Sequence, residues 1–174
     1  MLKQRSSNPE LYFVRHGDYG YHGPDQPTLT DAGRAQIQST SESLARLIDV
    51  KRSLLLSSTA RRAMESSDII EDNLGIRRIN DEWLDQCGNK PDLVHLAGGP
   101  RELIHRLLQT RNVDPGSFTS IVAMAHEPLI MYVRGDNKDT QHGEIVPFDV
   151  DNTNWSHKRY IPPMYREGYQ AETY

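Results

Sequence analysis

The sequence predicts an α/β protein built on a mostly parallel sheet, and two features of its patterning carry that prediction. Short apolar runs of strand length alternate with longer stretches of helical periodicity. That order is expected when each strand is returned to one sheet by a crossover helix. The second feature is that the apolar runs are continuous rather than alternating with polar residues, which suits strands covered on both faces. The 174 residues, 36% hydrophobic and 25% charged, are enough for one domain with a modest core.

The elements follow in order. Glu10-Leu11-Tyr12-Phe13-Val14 reads as a buried strand that ends in charge and glycine at Arg15-His16-Gly17. A loop over 18–27, with Gly20, Gly23 and Pro24, leads to Thr30, a good N-cap for a helix over 31–48. Ile37, Leu44, Leu47 and Ile48 share one face of that helix. Ser53-Leu54-Leu55-Leu56-Ser57 is the second strand, after which Ser58 or Thr59 caps a helix that ends at Gly75. A third strand, 76–79, enters a long segment over 80–100 in which the sequence marks no element. Pro100 opens a helix over 101–111 with Leu103, Ile104, Leu107 and Leu108 inward. The strand 120–125 ends at His126-Glu127-Pro128 and runs into a short helix, 129–133. Residues 143–150 read as a last strand, placed at an edge because Pro147 cannot donate to a ladder.

Several functional classes fall away. No apolar run approaches the roughly 20 residues of a membrane span. The segment 1–8 carries charge but no apolar stretch of the secretory type. A single cysteine, Cys87, can form neither an internal disulfide nor a Cys-rich zinc site. The net charge of -4 has the wrong sign for a general nucleic-acid binder. His95, His105, His142 and His157 lack the spacing of metal ligands. The expectation is a soluble, cytoplasmic protein that uses no metal or cofactor and binds neither nucleic acid nor membrane.

What remains is a rim. In open parallel sheets, ligands bind beyond the carboxyl ends of the strands. Here the first strand delivers Arg15 and His16, the second leads into Arg61 and Arg62, and the fourth delivers His126. Arginine presents a planar fork of donors that matches phosphate oxygens in pairs. A histidine among arginines is pushed toward its neutral form, in which imidazole is a nucleophile. Phosphoryl transfer asks chiefly for positioning and for stabilisation of equatorial oxygens, which two arginines and a second histidine can supply.

These residues lie in segments that resemble a known family. Leu11-Tyr12-Phe13-Val14-Arg15-His16-Gly17 resembles the signature strand and loop of the histidine phosphatase superfamily, the phosphoglycerate-mutase-like fold. Leu29-Thr30-Asp31-Ala32-Gly33-Arg34-Ala35-Gln36 is similar to that family's Leu-Thr-x-x-Gly-x-x-Gln helix start. Ser57-Ser58-Thr59-Ala60-Arg61-Arg62-Ala63-Met64-Glu65-Ser66-Ser67 is similar to its Ser-Ser-x-x-x-Arg-Ala-x-x-Thr-Ala segment, and Ile121 to His126 resembles the strand carrying the second catalytic histidine. The four motifs occur in the family's order and span about residues 10–150.

The resemblance implies a three-layer α/β/α sandwich and a metal-independent phosphatase acting on a phosphorylated small molecule or a phosphoprotein. His16 would be the nucleophile, becoming phosphohistidine, with Arg15, Gly17, Arg62 and His126 around the phosphoryl group. His22, in the glycine-containing loop after His16, reads either as a residue lining the pocket entrance or as a solvated loop residue. The general acid stays open between Asp85 and Glu82, or is dispensable if the substrate is a phosphohistidine with a good leaving group. Glu127 departs from the family pattern, and beside the phosphate site it would repel substrate unless turned away. Residues 1–9 read as an extension, 10–150 as the catalytic domain, and 151–174 as a polar tail packed on the domain or mediating self-association. Two alternatives stand beside hydrolysis: a non-catalytic phosphate- or phosphoprotein-binding module, and a phosphoglycerate-mutase-type phosphotransferase, which the chain length disfavours.

Overall fold

The structure, a computed structural model, describes residues 8–21, 27–89, 98–134 and 138–148. Along the chain come β1 (Glu10–Arg15), two-residue strands β2 (Tyr19–Gly20) and β3 (Thr28–Leu29), and α1 (Asp31–Leu47). Next are β4 (Ser53–Ser57), α2 (Arg61–Leu74), β5 (Arg77–Asn80) and α3 (Glu82–Asn89). Then follow α4 (Pro100–Thr110), β6 (Ser120–Ala125), α5 (Glu127–Arg134) and β7 (Ile145–Phe148).

The main sheet has the order β5-β4-β6-β1-β7. The first four are mutually parallel, and β7 runs antiparallel to β1 along the edge. Pro147 sits on this edge strand opposite Tyr12, where a missing N–H costs no ladder bond to a further neighbour. Side chains alternate between two cores. On one face Phe13, Leu54, Leu56, Ile121 and Ala123 pack with Leu84, Leu103, Ile104, Leu107 and Leu129. On the other, Val14, Leu55, Val122 and Met124 pack with Ile37, Leu44, Ala63 and Ile70. Because both faces are covered, all five residues of β4 are buried, as its unbroken apolar run requires. The sheet with α1 and α2 on one face and α3, α4 and α5 on the other forms the three layers.

This layering locates the crevice. The chain leaves β1 toward α1 on one face and leaves the adjacent β6 toward α5 on the other, so their carboxyl ends part at a topological switch point. His16 and His126 are the first residues beyond those two ends.

Local chemistry sets several boundaries. The Thr30 side chain accepts from the Gly33 amide and caps α1, and Gly75 ends α2 at φ 65° in the left-handed region. The start of α2 differs from expectation. Its N-cap is Ala60 with no side-chain cap bond, and Ser58 instead accepts from the Ala60 amide while turning toward His126. The segment expected to hold no element contains α3, so Glu82 and Asp85 lie on a helix. The third strand begins one residue later than expected, and the last begins two residues later, at Ile145. The tail 151–174 and residues 1–7 of the extension lie outside the described residues.

Candidate active site

Glycine brings the loop after β1 against α1. A Cβ on Gly17 would lie 2.5 Å from the Gly33 carbonyl oxygen, and one on Gly33 would lie 2.0 Å from that of Asp18. The approach leaves no room for a side chain at either position. The Gly17 amide donates to Ser66 Oγ at 3.1 Å, so α2 also holds this loop. His16 is thereby fixed at the crevice, 3% exposed, with its Nδ1 2.9 Å from the Gly17 carbonyl. That carbonyl can only accept, so Nδ1 carries the hydrogen and the Nε2 lone pair faces the site.

Arg62, in the first turn of α2, joins the two histidines. Its Nε donates to His16 Nε2 at 3.1 Å, and its Nη2 lies 3.1 Å from His126 Nδ1. Arginine has no acceptor, so His126 Nδ1 is bare and its Nε2 carries the hydrogen. That Nε2 meets Ser58 Oγ at 2.8 Å and Asp85 Oδ1 at 3.4 Å. The two imidazole centroids are 5.2 Å apart.

Burial is the largest cause lowering the His16 pKa from 6.5 to about 3, with His126, Arg62 and Arg15 adding to it against the Gly17 carbonyl. Burial also leads for His126, which falls to about 3 with help from Arg62 and Arg15. Both rings are therefore neutral near pH 7.

Arg15 is held from the other side. Its Nη2 pairs with Glu127 Oε2 at 3.1 Å, and its Nη1 donates to the Thr140 carbonyl. Glu127 Oε1 also accepts from the Thr140 amide at 3.2 Å. The carboxylate that departs from the family pattern is thus turned onto Arg15.

Of the residues singled out from sequence, Arg15, His16, Gly17, Arg62, His126 and Asp85 come together. Glu82 is exposed on α3. His22 lies outside the described residues. Arg61, which the sequence also offered at the end of the second strand, pairs with Glu65 at the surface instead. Two residues of the site escape the sequence reading. The Tyr19 ring lies 5.2 Å from the His16 ring and under the Arg62 guanidinium at 5.0 Å, and His142 lies 5.8 Å from His16. The signal for His142 is topological, since an antiparallel β7 must begin beside the carboxyl end of β1. Among the described residues, no group of three or more His, Cys, Asp or Glu is placed to hold a metal ion, and no helix is long and apolar enough to cross a membrane.

The family model described as "Histidine phosphatase superfamily (branch 1)" matches residues 11–89, the stretch that carries Arg15, His16 and Arg62. The match runs from β1 to the end of α3. Solved structures of this superfamily fold share the architecture. SixA of Agrobacterium tumefaciens superposes with a TM-score of 0.54 at 15% identity, covering 80% of this chain and 91% of its own. A mycobacterial glucosyl-3-phosphoglycerate phosphatase, complexed with VO3, gives 0.54 at 17% identity, covering 79% and 89%. The protein histidine phosphatase SixA complexed with tungstate gives 0.51 at 15% identity, covering 79% and 86%. At these identities the likeness is one of fold. No protein of curated function matches the sequence.

Proposed function

We propose that this chain belongs to the histidine phosphatase superfamily and hydrolyses a phosphomonoester or a phosphohistidine through a covalent phosphohistidine on His16. The observation that carries the reading is the Arg62 guanidinium held between His16 Nε2 and His126 Nδ1. It puts a fork of donors beside a neutral, buried nucleophilic nitrogen. His16 Nε2 attacks phosphorus while Arg62 and Arg15 donate to the equatorial oxygens, and His126 holds Arg62 in place through its Nδ1. Asp85, on the Nε2 side of His126, is the group placed to handle the leaving-group proton, and exposed Glu82 is the weaker candidate. Water then hydrolyses the phosphoenzyme. Two fold neighbours carry tungstate and VO3, oxyanions that stand in for phosphate, which supports an oxyanion site.

The test is rapid quench with a radiolabelled aryl phosphate. Acid-labile, base-stable label is expected on the wild type and not on His16→Ala. Arg62→Ala, having lost one preorganised donor, should fold and turn over about 10²–10³ times more slowly. Full turnover by His16→Ala would overturn the reading, and phosphate binding without any labelled intermediate would favour a non-catalytic binding module.

A further inference from the structure

Glu127 stands within the site and takes no part in the proposed reaction. Its carboxylate spans Arg15 Nη2 and the Thr140 amide, while the Thr140 carbonyl takes Arg15 Nη1. Both terminal nitrogens of Arg15 are therefore engaged within the protein, and its buried Nε has no partner among the described residues. The arginine stays in the crevice, but its charge is offset where a phosphoryl group would meet it.

We infer that Glu127 is a specificity-determining residue that sets the charge of the pocket, so that it takes phosphoryl groups bearing one negative charge in preference to two. This rests on the phosphatase reading above and names the ionic form of its substrate. The charge sum supports it. Arg15 and Arg62 are the cations at the histidine pair. Against them stands Glu127 on Arg15, with Asp18 3.9 Å from His142 on the third side. His16 and His126 add no charge near neutral pH, and burial together with Arg15 also lowers the His142 pKa against the pull of Asp18 and Glu127. A pocket so balanced gains less from the second charge of a dianion than one with two unopposed arginines.

The experiment is calorimetric titration of the full chain with inorganic phosphate, at about pH 5.5 and about pH 8, which bracket the second phosphate ionisation. Wild type and Glu127→Gln are compared, since glutamine keeps the shape and can still accept from the Thr140 amide. Wild type should bind more tightly at the acid pH. Glu127→Gln should gain about tenfold at the alkaline pH and lose most of the pH dependence. If Glu127→Gln keeps the wild-type pH dependence, protonation of the histidines carries it and the inference falls. If the variant binds more weakly at both values, Glu127 serves only to hold Arg15, and the inference falls as well. Equal binding by wild type at both values overturns this inference alone. Absence of phosphate binding at both, in both proteins, overturns the phosphatase reading with it.

Discussion

At the scale of single residues, the site is a problem of which nitrogen holds which hydrogen. The Gly17 carbonyl claims the hydrogen of His16 at Nδ1, and Arg62 claims the lone pair of His126 at Nδ1. The two rings are thus opposite tautomers, one presenting a bare Nε2 to the site and the other donating from Nε2 to Ser58. Nitrogen-15 NMR at pH 5 should find both imidazoles neutral, His16 protonated at Nδ1 and His126 at Nε2. A charged imidazolium at either position under that condition would contradict the depressed pKa values of about 3. Arg62→Lys could not reproduce this arrangement, because a single ammonium cannot hold the two nitrogens in one planar fork.

At the scale of elements, the legible parts are those whose geometry follows from strand order. Arg15, His16 and His126 sit at the ends of parallel strands, and Arg62 lies in the first turn of the helix after another, so a parallel sheet alone brings them to one rim. His142 and Tyr19 arrive on connections whose paths depend on packing rather than on periodicity. Helix α3 escapes the sequence reading because Gly88 and Pro91 make its surroundings look like loop, while the signal that starts it is a single buried carboxylate. Asp81, 3% exposed, accepts from the Trp83 amide at 2.9 Å as an N-cap does, and its other oxygen takes Arg111. Asp81→Ala is expected to destabilise the protein by about 1–2 kcal/mol in urea unfolding, the usual cost of a lost cap. It should also lower turnover by freeing Asp85, one turn further along α3. Asp81→Asn keeps the cap acceptor and should restore most of the stability, and an equal loss in both variants would assign the effect to the Arg111 pair instead.

At the scale of the whole molecule, the site and the stability of the fold are joined through protons. His16 and His126 are buried between arginines at the switch point of the sheet, and each is lowered from 6.5 to about 3. Between those values an unfolded chain holds a proton on each histidine that the folded chain does not. The unfolded state binds more protons there, so unfolding free energy rises with pH. The contribution is fully present above pH 6.5 and is lost as pH falls toward 3, at ~1.4 kcal/mol per pH unit for each histidine. Chemical denaturation from pH 7 down to pH 4 should therefore show a steep loss of stability, beyond what carboxylate protonation adds. His126→Gln, which removes one titrating charge, should make the curve shallower by one histidine's share while shifting its plateau by a constant amount. An unchanged slope would mean that burial at this crevice does not hold the imidazole neutral, and the nucleophile's readiness near neutral pH would then need another cause.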